Sequence, residues 1–187
     1  MSPLSEAGRR WLLTVARSAL DAAAHRRSFE APKPPASLAE SDLRELERRR
    51  AAFVSLHHEG RLRGCVGHTA ADLRLRVVVP EMTRAAALED SRFPAVTPLE
   101  APAIAIEISV LSRLFRITPA DIVPGRHGLL VRRGFQRGLL LPQVATTYQW
   151  DATRFLEETC RKAGLPRDAW QHGAVVEAFT AEVITSS

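Results

Sequence analysis

Leu62-Arg63-Gly64-Cys65-Val66-Gly67 is the most informative hexapeptide of the chain, because two glycines bracket a thiol that has a guanidinium two residues away. Glycine permits positive φ and close backbone approach, so neighbouring N–H groups are expected to converge on an anion here. A cation and oriented N–H groups both favour the thiolate, the nucleophilic form of cysteine. Cys65 is therefore the candidate nucleophile and Arg63 the candidate stabiliser of its charge. The bases within reach in sequence are His57, His58, His68 and, farther off, His127. His57 and His58 are adjacent on one strand and must point to opposite faces, so only one of them can serve. The blander reading is a small cysteine packed where two elements approach closely.

The same atoms allow a metal reading, with Cys65, His68 and one of His57 or His58 as three ligands and one open position. The spacing is not that of a recognised ligand pair, and no carboxylate joins it, so no metal and no cofactor are assigned. His25, His127 and His172 have ordinary roles open to them as surface or hydrogen-bonded histidines. Nothing in the chain matches GxGxxG, GxxxxGK[ST] or GxSxG, which removes the usual support for dinucleotide binding, P-loop phosphoryl transfer and nucleophile-elbow hydrolysis.

The elements that would position these residues can be read from local pattern. Ser2-Pro3 reads as a helix start, followed by Leu4, Ala7, Trp11, Leu12, Val15, Ala16, Ala19, Leu20 and Ala23 at helical spacing. Phe29 to Ser37, with Pro32, Pro34 and Pro35, reads as an extended connection. Ser41 to Arg50 is balanced in charge and reads as a solvated helical turn or two. Phe53–His58 and Arg61–Val66 form a hairpin around Glu59-Gly60, with Cys65 at its far end. Asp72–Leu88 is helical, with Pro80 expected to kink the helix or mark where it begins. Ile104–Val110 alternates as a half-buried strand, and Leu129–Arg132 with Gly138–Leu141 makes a second hairpin about Gly134. Asp151 caps a helix that Gly164 and Pro166 stop, and Val175–Ile184 reads as one last strand. Without a strand-helix-strand rhythm, the expected class is α+β rather than a doubly wound sheet.

Composition agrees with one domain across residues 1–187: 45% apolar and 25% charged residues exclude disorder, collagen-like repeats and disulfide scaffolds. No apolar run approaches a membrane span and no leader is evident, so a cytoplasmic location is expected, with Cys65 and Cys160 as free thiols. The net charge is +5, and 24 of the 26 cations are Arg. In sequence, Arg61, Arg63, Arg74 and Arg76 face only Asp72, while Arg126, Arg132, Arg133 and Arg137 have no acid among them, which points to an anionic partner.

Longer motifs carry a family resemblance. Phe53-Val54-Ser55-Leu56 precedes the hexapeptide; Asp90-Ser91-Arg92-Phe93-Pro94, Ile106-Glu107-Ile108-Ser109-Val110-Leu111, Gly128-Leu129 and Leu139-Leu140-Leu141-Pro142-Gln143-Val144-Ala145 follow it in order. Trp150, Phe155-Leu156, Cys160, Lys162-Ala163-Gly164-Leu165 and Trp170 complete the set. With these, the chain resembles the AMMECR domain family, whose microbial members are also called AmmeMemoRadiSam system protein A, over about residues 8–183. The hexapeptide departs from the family's LRGCIG motif only in Val66 for isoleucine, a volume-conserving swap. The resemblance implies an α+β fold, mainly antiparallel sheets with flanking helices, in two unequal lobes: a larger one built from both chain ends and a smaller inserted one, with the motif near the cleft between them. It also implies a pathway shared with a Memo-like protein and a radical SAM enzyme, and the family has been regarded as a candidate in RNA modification. No CxxxCxxC occurs here, so any iron–sulfur chemistry belongs to the partner.

Two functional expectations follow. In the first, the protein is an enzyme or enzyme component with Cys65, Arg63 and Asp90 as catalytic residues and Gly64, Gly67, His68, Arg92 and Gln143 as substrate contacts. Its signature is a Cys65 thiol of unusually low pKa. In the second, it is a binding module for partner proteins or for RNA, with Arg61, Arg63, Arg132, Arg133 and Arg137 as a basic face and Cys65 only packed. The few aromatics, 6%, leave little stacking surface for RNA.

Overall fold

The computed structural model describes residues 3–186, so Ser2 lies outside the described residues. Its first helix, α1 (Glu6–Ala24), is capped by Ser5, whose Oγ accepts from the Gly8 N–H at 3.2 Å. Asp42 closes this cap from a distant segment: its carboxylate accepts the Ser5 N–H at 2.8 Å and the Ser5 hydroxyl at 2.5 Å. The apolar stripe from Trp11 to Ala23 is buried as its helical spacing requires.

The short helix α2 (Glu40–Glu47) is more than a solvated turn, since Asp42, Glu45 and Leu46 are buried. Glu45 pairs with buried Arg50 and with Arg48, the compensation that a buried charge needs. Strands β1 (Ala52–His58) and β2 (Arg61–His68) form the expected hairpin, with Glu59 and Gly60 at φ 51° and 75°, the left-handed pair a two-residue type I′ turn demands. Cys65 lies within β2 rather than at its end. Helix α3 (Leu75–Leu88) begins five residues before Pro80 and runs through it.

Strand β3 (Ala105–Leu111) pairs antiparallel with β1. The two-residue β4 (Phe115–Arg116), β5 (Gly128–Arg133) and β6 (Gln136–Leu140) follow; α4 (Pro142–Thr147), a helix the sequence reading lacked, begins at the proline. Asp151 caps α5 (Ala152–Lys162) through the Arg154 N–H at 2.7 Å, and Gly164 ends it at φ 71°. The run Val175–Ile184 is two strands, β7 (Val175–Phe179) and β8 (Ala181–Thr185), which belong to different sheets. Thr180 stands between them, its N–H donating to Ser112 Oγ at 2.9 Å. Alternation of apolar and polar residues persists across Thr180, so periodicity gave no sign of the change of sheet.

The chain divides into two compact units, one formed by the residues up to Val110 together with those from Glu182, the other by Leu111–Ala181. In the first, the sheet runs β2-β1-β3-β8 and buries Val54, Leu56, Ile106, Ile108 and Val110 in a core with α1 and α3. In the second, the sheet runs β4-β7-β5-β6, and Leu129, Phe155, Leu156 and Ala178 form the centre of its core. Gly138 lets α5 sit directly on β6, because a Cβ there would lie 2.3 Å from the Ala163 nitrogen. The class is α+β with two antiparallel sheets and flanking helices. Among the described residues, no helix is long and apolar enough to cross a membrane.

Candidate functional site

Strand β2 is an edge of its sheet, and the register sets Ser55 of β1 opposite both Cys65 of β2 and Glu107 of β3. These three side chains form a row across the sheet. Val54 and Leu56 point into the core, so by alternation the row occupies the opposite face. The Ser55 hydroxyl donates to Cys65 Sγ at 3.2 Å. Ser55 and Glu107 are the members of this site that sequence reasoning missed; only the register of the three strands aligns them with the thiol.

The free side of the edge strand is closed by a local clip. Asp90 Oδ2 accepts the Cys65 N–H at 2.8 Å, and Arg92 Nη2 reaches the Cys65 carbonyl at 3.4 Å. Arg92 also holds Asp90 in a fork, Nε to Oδ1 at 2.9 Å and Nη2 to Oδ2 at 2.6 Å. The Asp-x-Arg sequence thus offers the strand an acceptor and a donor where a neighbouring strand would have done so. The Arg92 guanidinium, with the Cys65 N–H assisting it, keeps the Asp90 carboxyl far below the usual carboxylate range, although burial opposes the shift.

Arg63 does not serve the thiol. It is the extra residue where the register slips between Leu56 and His57, and its guanidinium donates to Glu100 Oε1 at 2.7 Å and to the Pro94 and Ala95 carbonyls. The charge that acts on the thiol comes from Arg92 instead. Even so, burial pushes the Cys65 thiol up from its ordinary value; Ser55 and Arg92 pull it down without reversing this, and Asp90 and Glu107 add to the rise. A thiol in this setting is protonated at neutral pH, contrary to the low value expected of an activated nucleophile.

The glycines of the motif are clearances rather than an anion nest, since neither has positive φ. A Cβ on Gly64 would lie 2.2 Å from the Ala86 carbonyl oxygen, so the missing side chain is what lets α3 pack on β2. A Cβ on Gly67 would lie 2.1 Å from the ring of Phe53, its cross-strand neighbour, so that glycine makes room for an aromatic ring. In extended backbone, successive N–H groups point to opposite sides, which is why they do not converge.

His68 falls on the face opposite Cys65 by alternation and bonds Asp72 through Nε2 at 2.5 Å. No histidine bonds the Cys65 sulfur among the described residues, and none of them form a group of three metal-ligating side chains. Gln143 belongs to α4 in the second unit, and its backbone carbonyl accepts from the Thr146 and Thr147 hydroxyls. His127 is buried and accepts the Val123 N–H at Nδ1. The structure thus brings Cys65, Asp90 and Arg92 together, and leaves Arg63 and His68 committed elsewhere.

A family model described as AMMECR1 matches residues 13–184. The chain belongs to the AMMECR1 family. Relatives include a protein of Methanosarcina barkeri, 43% identical over 141 residues that span 72% of this chain and 70% of that protein. Another, from Methanothermobacter thermautotrophicus, is 42% identical over 177 residues, covering 90% of this chain and 88% of its own length. The crystal structure of an uncharacterized Pyrococcus horikoshii protein, PH0010, superposes with a TM-score of 0.85 at 33% identity, covering 96% of this chain and 92% of that one. Within this AMMECR1 fold, the clip and the thiol row rest on the sheet and α3 of the first unit.

Two outcomes follow. Asp90→Asn removes the negative charge and turns one of the two acceptor oxygens facing Arg92 and the Cys65 N–H into a donor, which is expected to cost about 1–3 kcal/mol at neutral pH by urea denaturation. Because the folded-state pKa of Asp90 is depressed, its contribution is complete above the unfolded value of about 3.9 and is lost as pH falls further, so the gap between wild type and variant should narrow below about pH 4. For Cys65, the raised pKa predicts slow iodoacetamide labelling at neutral pH. Labelling should accelerate only above the ordinary thiol value of about 8.5, as read by mass spectrometry with buried Cys160 as internal control.

Proposed function

We propose that the protein acts as a binding component of a multi-protein system, its partners being the Memo-like protein and the radical SAM enzyme that the family resemblance implies. The surface that docks them is the edge around Leu62–Gly67 together with Asp90–Pro94, and Cys65 is packed and protonated. The observation that carries this reading is a protonated thiol with satisfied backbone groups beside an adhesive surface. The half-buried thiol is raised, and its backbone groups are satisfied by Asp90 and Arg92. Outside, Leu62 is 40% exposed, and Arg92, its side chain 55% exposed, lies over the Phe93 ring at 5.4 Å. Arginine and aromatic residues are enriched at protein interfaces, and a stacked guanidinium is already oriented for contact.

The test is binding of the purified protein to each of the two partners by interferometry. A complex is expected with at least one of them; Leu62→Asp should weaken it about tenfold, since a charge is forced into a buried patch. Cys65→Ser should retain it. Absence of any complex, or its loss in Cys65→Ser, overturns the reading.

A second reading has one observation in its favour. The β5–β6 turn presents fully exposed Phe135 with Arg133 beside it, and Arg132 and Arg137 are cross-strand neighbours, though Arg132 pairs with Glu177 at 3.2 Å. An aromatic flanked by cations suits stacking on single-stranded RNA. On this reading, RNA affinity falls steeply with salt and drops by about 1–3 kcal/mol in Phe135→Ala, measured by fluorescence anisotropy. Salt-independent or mutation-independent binding removes it.

A further inference from the structure

In the first unit, the C-terminal end of α1, the chain from Arg26 to Ala31 and helix α3 line a cavity of about 650 Å³ that has no part in the site above. This is within the range of pockets that hold small ligands. Its wall is apolar: Ala19, Ala23 and Pro80 are buried, and Phe29, Val77 and Leu88 are half-buried. Apart from Ser28 and Ala31, the remainder of the lining is charged and lopsided, with Arg26, Arg27, Arg76 and Arg84 against Glu81 alone.

Three of these arginines are bonded to carboxylates that do not line the cavity: Arg27 to Asp21, Arg76 to Glu47 and Arg84 to Glu89. All three pairs are solvent-exposed, so they exchange partners readily. Arg26 differs, since its side chain has no hydrogen bond or ion pair among the described residues. Its backbone is also costly. The Arg27 N–H donates to the Ala22 carbonyl and the Arg26 N–H to the Ala23 carbonyl, a Schellman ending that puts Arg26 at the left-handed position with φ 54°. Helices α4 and α5 end with the same bonding pattern, Trp150 to Ala145 and Gln149 to Thr146 in one, Leu165 to Cys160 and Gly164 to Arg161 in the other, with glutamine and glycine respectively at the left-handed residue. What sets Arg26 apart is its unpaired guanidinium on the cavity lining, carried by a backbone conformation that glycine would adopt without strain.

We propose that this cavity binds an amphiphilic carboxylate, with the hydrocarbon chain on the apolar wall and the carboxylate held by Arg26 and the neighbouring guanidiniums. A small ligand suits the site better than a protein surface, because none of the large exposed hydrophobic residues lines the cavity and its mouth is charged, whereas protein interface cores are depleted in charge.

The test is calorimetric titration of the full chain with decanoate at low salt, with decanol and acetate as probes of chain and charge alone. Decanoate should bind, and each control should bind at least about tenfold more weakly. Arg26→Gly should weaken decanoate about tenfold while raising Tm by about 2–4 °C, since glycine takes the left-handed conformation without strain. Arg26→Gln, which retains the strain, should lower affinity without that gain in Tm. No decanoate binding, equal binding of decanol, or unchanged affinity in both Arg26 variants overturns the proposal; capture of a partner protein by this face with no decanoate binding does so as well.

Discussion

The hydrogen bond from the Cys65 N–H to Asp90 is the contact around which the first unit's outer edge is organised. An edge strand must dispose of its outward N–H and C=O groups, and β2 does so at Cys65 with one carboxylate and one guanidinium two residues apart. The clip can reach because α3 lies directly against β2, and that approach exists because position 64 carries no Cβ. Arg63 then anchors the next stretch of the same loop through the Pro94 and Ala95 carbonyls. The hexapeptide and the Asp90–Pro94 motif are therefore two halves of one piece of construction.

That construction also decides the chemistry. Burial costs a thiolate more than a half-exposed arginine returns, and the same Asp90 and Glu107 that furnish the site repel negative charge on sulfur. Proximity of a cation in sequence is a poor guide here, because Arg63 sits where the register slips and is drawn off to Glu100.

Features encoded locally were legible in the sequence. Glu59-Gly60, Asp151 and Gly164 announce a turn, a cap and a stop through chemistry confined to a few residues, and the structure has each where the pattern put it. Alternation likewise identified β3. What escaped depends on distant partners. Asp42 reads as solvated because nothing nearby in sequence shows that Ser5 will bond its carboxylate, and Glu45 because a local balance of charge does not reveal that Glu45 and Arg50 are buried as a pair. The acid-poor arginine clusters find their acids elsewhere, Arg74 and Arg76 at Glu47 and Arg132 at Glu177. The Cys65–Ser55–Glu107 row required the register of three strands. Gly64 and Gly67 are places of close approach, and their backbone does not form a cradle for anions.

The division of Val175–Ile184 between two sheets bears on the order in which the protein is made. The second unit is a continuous stretch of chain and has all its strands once Phe179 has been synthesised. The first has most of its core by Val110 yet leaves the outer side of β3 without its neighbour until β8 emerges some seventy residues later. For that interval on the ribosome, the nascent chain carries an open sheet edge beside a nearly finished core, the kind of surface that chaperones shield and that pairs wrongly with other chains.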